Sequence, residues 1–140
     1  MQKNLEVVEA MYQCFRTGDM KKLKEEVFAP DVTWTLPGRN PIAGTKEGAD
    51  EVLGFFGALR KAGLQVTPLG LGEVGSDGVA EVYRGHGEVN GVKLDAYNVN
   101  YYKIRNGKIA EVQVFMADQH GYDAFCWAAF KLKPIPERLA

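Results

Sequence analysis

Apolar residues recur every three or four positions in the first part of the chain and every second position over its latter half. Leu5, Val8, Met11, Tyr12 and Phe15 fall on one helical stripe, and Gly18 follows as a stop. Asp19 stands where it can cap a short second helix carrying Met20, Leu23 and Val27, which has to end before Pro30. "DVTWTLPG" reads as a short extended piece broken by Pro37, and "GRNPIAG" as loop. From Thr45 the spacing of Val52, Leu53, Phe55, Phe56 and Leu59 predicts a third amphipathic helix that stops at Gly63. The period then becomes alternating. "LQVTPLGLGEV", "GVAEVYRGHGEV", "GVKLDAYNVNYYKI" and "GKIAEVQVFMAD" read as four consecutive strands. Their connections are "GSDG", "NG" and "RNG", and Asn90-Gly91 is the strongest hairpin signal among them. "YDAFCWAAF" predicts one or two closing helical turns, and Pro134 and Pro136 leave 131–140 as an irregular tail.

Helices followed by an antiparallel meander imply an α+β fold with the helices gathered on one face of the sheet. The expected form is a cone-shaped α+β barrel, its N-terminal helices packed in the concave face of a strongly curved, mostly antiparallel sheet. The mouth of such a cone has to be filled by side chains or by a ligand, which makes it the natural place for a small-molecule site.

Composition narrows the partners. The 140 residues suit a single domain, 1–140, and 46% hydrophobic with 25% charged residues is ordinary globular usage. A net charge of −1 gives no reason to expect nucleic acid or an anionic membrane as partner. Cys14 and Cys126 are far apart, make no metal-ligand spacing and read as buried free thiols. Glu6 and Glu9 stand where a signal peptide would be apolar, and no run approaches a membrane span, so the expected location is cytoplasmic. Neither a Walker loop, a dinucleotide fingerprint, a zinc spacing nor a nucleophile elbow is present, and no cofactor or metal is expected.

Four segments carry a family resemblance: "YQCFRTGDMKKL", "FAPDVTWTLPGRNPIAGTKEGADEVLGFF", "VNYYKIRNGKIAEVQVF" and "DQHGYDAFCW". Together they resemble the SnoaL-like polyketide cyclases and ketosteroid isomerases of the nuclear transport factor two-like superfamily. The likeness spans Leu5 to Trp127. It is specific for the superfamily and poorly specific for a reaction, because that fold carries isomerases, cyclases, epoxide hydrolases, dehydratases and domains without chemistry. Leu36 stands where the resemblance would put the isomerases' general base. Their oxyanion tyrosine would fall near Met11, with Tyr12 next to it, and their second oxyanion acid near Asn100. Set against the limonene-type epoxide hydrolases, the chain has Trp34 and Leu36 in place of a Tyr and an Asn. Arg84-x-His86 and Asp118 stand near the hydrolases' Arg-x-Asp pair and terminal Asp.

Alternation assigns the remaining candidates. Val112, Val114 and Met116 share an apolar face, and continuing that face puts Asp118 inward. Ala96, Asn98, Asn100, Tyr102 and Ile104 share a face of the preceding strand. Two amides on an apolar face suggest a polar floor or a bound ligand. The opposite stripe, Tyr97, Val99 and Tyr101 with Phe115 beside it, suggests a homodimer through the outer sheet face. In "YRGHGEV", Ala80 and Val82 mark a face that would carry Arg84 and His86 inward and leave Glu81 and Tyr83 outward. The structural alternatives are an Arg84 paired with a carboxylate such as Glu88, and an Asp118 that caps the C-terminal turn. Trp34, Phe55, Phe56, Phe115 and Trp127 read as core or pocket wall.

The resulting expectation is a cofactor-independent enzyme acting on an apolar, carbonyl-bearing small molecule by proton abstraction next to the carbonyl. Asp118 or His86 would be the base, and Asn100, helped by Arg84 or Tyr12, would donate to the enolate oxygen. Tyr12, Trp34, Leu36, Phe55, Phe56, Asn98, Tyr102, Val114 and Met116 would bind the ligand. The rival readings are a ligand-binding or dimerisation domain without catalysis, and an epoxide hydrolase or hydratase.

Overall fold

The structure, a computed structural model, describes residues 2–130. The tail 131–140 expected from its prolines lies outside the described residues. The chain runs α1 (Gln2–Thr17), α2 (Met20–Lys22), a π-helical turn (Leu23–Val27), β1 (Phe28–Leu36), β2 (Gly44–Glu47) and α3 (Ala49–Lys61). It continues through β3 (Gln65–Val74), β4 (Gly78–Val89), β5 (Val92–Arg105), β6 (Lys108–Met116) and α4 (Gln119–Ala129). The six strands form one open sheet in the order β2-β1-β6-β5-β4-β3, so β2 and β3 are its edges. Every neighbouring pair is antiparallel except β1 with β6, which is parallel. This is the α+β architecture expected from the helix-then-meander order.

Local chemistry explains the boundaries. Gly18 ends α1 at φ 75°, and the Asp19 side chain accepts a hydrogen bond from the Lys22 amide to start α2. The Asn90-Gly91 turn has φ of 49° and 81°, the paired left-handed values of the tightest hairpin loop, and it fixes Val89 opposite Val92. On the edge strand β3 the ladder shifts register between Pro68 and Gly70, where proline has no amide hydrogen to give. Among the described residues no helix is long and apolar enough to cross a membrane.

Two boundaries differ from expectation. The third helix begins at Ala49 and not Thr45, because Gly44–Glu47 is drawn into the sheet as β2. Gly44 and Gly48, at φ of 105° and 83°, break the backbone on either side of it, and Thr35 and Thr45 join hydroxyls at 2.9 Å across the pair. The closing helix α4 has 11 residues, about three turns rather than one or two.

Helices α1, α3 and α4 cover one face of the sheet, α1 crossing β3 to β6 and α3 lying on β1 and β2. Between them lies a core that includes Val8, Met11, Phe28, Trp34, Tyr102 and Phe125, and both cysteines are buried in it.

Candidate functional site

The concave face of β4 and β5 carries a polar strip. The hairpin register sets Glu81 directly opposite Asn100 and Tyr83 opposite Asn98, with all four side chains buried. One step along, Val79 faces Tyr102. Glu81 is 0% exposed, and its Oε1 accepts a 2.7 Å hydrogen bond from the Tyr102 hydroxyl. Asn100 Nδ2 in turn donates to that hydroxyl at 3.3 Å. Glu81 Oε2 and Asn100 Oδ1 are buried without a hydrogen-bond partner among the described residues. Orphaned buried oxygens of this kind are rare and mark a functional or strained place.

Burial dominates the electrostatics here. It pushes the Glu81 carboxyl above the ordinary glutamate range, and the polar groups of Tyr12, Tyr102 and Asn100 around it offset only part of that rise. Burial also lifts the Tyr12 and Tyr102 phenols above the ordinary tyrosine value, and the Glu81 charge pushes both further. The phenols therefore stay protonated throughout the physiological range. Tyr83 and Tyr122 are raised for the same first reason, burial.

Against this strip lies a cavity of about 310 Å³. Its apolar wall includes Phe15, Trp34, Leu36, Phe55, Phe56 and Val114. The aromatic rings pack edge-on, Trp34 to Phe56 at 4.6 Å and Phe15 to Phe56 at 5.1 Å between centroids. Its polar lining consists of Tyr12, Tyr83, Asn98, Asn100, Tyr102 and Tyr122, with Arg60 the one charged residue among those that line it. Of the side chains expected at a ligand, Tyr12, Trp34, Leu36, Phe55, Phe56, Asn98, Tyr102 and Val114 converge here. Met116 does not. It packs against the core at the end of β6, beside Asn98 in the ladder.

Three of the four expected catalytic residues also lie elsewhere. Along β4 the alternating buried positions after Gly78 are Val79, Glu81, Tyr83 and Gly85, so the inward face is the opposite of the one expected. Arg84 and His86 point outward. Arg84 holds Asp95, on β5, through a two-pronged ion pair at 2.6 and 2.7 Å, which keeps Asp95 below the usual carboxylate range. His86 is half-buried beside Thr67, 3.4 Å from its hydroxyl. The misreading has a physical cause: Val82 is apolar yet 42% exposed, because the outer face is itself apolar and Ala80 and Val82 mark no interior. Asp118 is exposed and caps α4, accepting from the Gly121 amide at 2.9 Å. The strand ends at Met116, so its alternation does not reach position 118. Asn100 alone of the four lines the cavity. Trp127 and Phe115, both read as core or wall, are half exposed; Phe115 lies on the outer sheet face, and Trp127 donates to the Arg39 carbonyl at 2.8 Å.

Glu81 is the residue that reading by alternation missed.

Residues 8–112 match the SnoaL-like domain family. The uncharacterized protein Rv0034 of Mycobacterium tuberculosis is 30% identical over 128 residues, covering 89% of this chain and 96% of that relative. Among solved structures, Bal32a from a soil-derived mobile gene cassette superposes with a TM-score of 0.81 at 26% identity, over 89% of this chain and 97% of its own. An NTF2-like protein from Burkholderia pseudomallei shares the fold with a TM-score of 0.73 at 23% identity, over 90% and 98% of the two chains.

Proposed function

The chain belongs to the SnoaL-like family, and on that footing we propose that it is an isomerase or cyclase that moves a proton next to a carbonyl of an apolar small molecule, using its own side chains and no cofactor. The observation that carries this reading is the buried Glu81–Tyr102 hydrogen bond at the wall of an otherwise apolar cavity. A carboxyl kept from water and raised above the ordinary glutamate range is a better proton acceptor than an exposed one.

Glu81 is not itself among the cavity-lining residues, whereas Tyr102 is. The proton therefore travels through the phenol. The Tyr102 oxygen accepts a proton from the carbon beside the substrate carbonyl as its own proton passes to Glu81 Oε1. The electron pair released moves onto the carbonyl oxygen, giving an enolate. Tyr12 and the second amide hydrogen of Asn100 donate to that oxygen, in a setting where burial strengthens each interaction. Return of the proton to another carbon completes an isomerisation, and attack of the enolate carbon on a second carbonyl closes a ring. His86 and Asp118 have no part in this route, since neither lines the cavity.

The test is hydrogen–deuterium exchange. A panel of apolar ketones is incubated with the protein in heavy water, and exchange next to the carbonyl is followed by NMR. Exchange that disappears in Glu81→Gln while binding survives supports the reading. Ketones that bind, shown by line broadening, yet never exchange would overturn it in favour of a binding domain without catalysis.

The same reading includes a second copy of the chain on the outer sheet face. Val82, Val99 and Phe115 form one row across β4, β5 and β6, with Tyr97 next along β5. Tyr97 is 62% and Phe115 54% exposed, a contiguous apolar stripe of the kind that marks an interface. Sedimentation velocity at micromolar concentration would show a dimer, and a monomer would remove this part of the proposal.

A further inference from the structure

The cavity is polar at both ends and differently so. At one end sits the Glu81–Tyr102 pair. At the other the C-terminal turn of α3 folds back onto β4: the Gly63 amide donates to the Arg60 carbonyl at 3.0 Å, and Leu64 bonds back to Leu59 at 3.1 Å. The contact with the sheet is close, since a Cβ at Gly87 would lie 2.9 Å from the Gly63 carbonyl oxygen. Val66, which pairs with Gly85, completes this rim and is 45% exposed. Glu81 to Gly85 is four residues of strand, about 13 Å at the usual rise. The cavity thus runs from Tyr102, whose hydroxyl reaches the buried carboxyl behind it, past Tyr83 to a solvent-facing rim.

Arg60 lines that rim. It is exposed, and no ion pair or hydrogen bond joins its guanidinium to any of the described residues. The two arginines of the sheet, Arg84 and Arg105, are by contrast each held by an aspartate, Asp95 and Asp31. A last-turn position on a helix suits a cation by itself, which explains its charge there. It does not explain why the one charged group on an apolar cavity is left without a carboxylate.

We propose that Arg60 receives the anionic end of the substrate, and that the substrate class is the amphipathic oxo acid: an apolar body with a carbonyl at the inner end and a carboxylate at the outer. This rests on the reading of the site given above and adds the second functional group of its ligand. A guanidinium binds a carboxylate through two parallel N–H···O bonds, so it selects the acid over its ester. The rim location leaves the charge half solvated, so entry of the acid does not incur the full cost of burying an ion.

The probes are ω-aryl ω-oxo carboxylic acids of graded chain length and their methyl esters, with affinities measured by calorimetry. One acid of the series is expected to bind roughly fivefold to tenfold more tightly than its ester at low salt, the scale of a partly exposed ion pair. That ratio falls toward one in Arg60→Gln and in high salt, and Arg60→Lys keeps part of it. Glu81→Gln leaves the ratio unchanged, because the two ends act separately. Acids that bind no tighter than esters, an unchanged ratio in Arg60→Gln, or no binding by any acid of the series would overturn the proposal. Ketone exchange in heavy water reads the catalytic end independently: exchange without an acid preference removes only Arg60, and an acid preference without exchange removes only the chemistry.

Discussion

Glu81 and Tyr102 share a 2.7 Å hydrogen bond in which the phenol donates to a carboxyl with no exposure to solvent. Removing the donor leaves a buried oxygen without its partner. Tyr102→Phe is therefore expected to cost about 1–3 kcal/mol of stability. It is also expected to slow exchange of a bound ketone by about 10²-fold or more, the scale of a lost proton-transfer group. Urea unfolding and the heavy-water assay read the two effects separately.

Because burial raises the Glu81 carboxyl, the folded chain holds this proton more tightly than the unfolded chain does. The stability linked to it is fully present below the ordinary glutamate value of 4.5 and is lost as pH rises through the raised value. Activity runs the other way, since only the carboxylate can accept the proton. Exchange should rise with pH over the same window in which stability falls. In Glu81→Gln the exchange slope should vanish and the Glu81 part of the stability slope with it, leaving only what other shifted groups such as Asp95 contribute, which paired unfolding and exchange measurements across pH would show.

His86→Gln and Arg84→Gln are expected to leave exchange within about twofold of the parent, well short of the loss from a general base. Both side chains belong to the outer face, where Arg84 is engaged by Asp95. A loss of 10²-fold in either variant would return the chemistry to that face.

Asp118→Ala removes the cap that the α4 start takes from its carboxylate. About 1 kcal/mol of stability should be lost, with catalysis untouched. A variant with full stability and no activity would show that Asp118 works on substrate.

Phe115→Glu puts a charge into the middle of the Val82–Val99–Phe115 row. The variant should sediment as a monomer with an unchanged circular dichroism spectrum.

How far the fold was legible follows from which signals are local. Asn90 and Gly91 announced their turn, and the four strands followed from alternation because each runs nine residues or more. Strand β2 was not legible, since "GTKE" is short and polar and owes its conformation to pairing with β1. For the site, the β5 face with Asn98 and Asn100 was read correctly and the β4 face was not. An alternating strand apolar on both sides gives no internal clue to its orientation. The information was nonetheless in the chain. A two-residue turn at Asn90-Gly91 fixes Val89 against Val92, and counting outward sets Tyr83 against Asn98 and Glu81 against Asn100. Cross-strand partners share a face, so the inward amides bring Glu81 inward with them.

The two sheet edges bear on how this protein behaves at high concentration. One edge, β2, is four residues long, and the other, β3, is interrupted by Pro68 and the register shift behind it. Among the described residues neither offers a long unbroken ladder onto which a strand from another molecule could zip, which disfavours fibrillar growth on the folded sheet. Such growth is then favoured from chains that have already unfolded. Shelf life in concentrated solution is then governed by the unfolding equilibrium, and conditions that keep Glu81 protonated should prolong it.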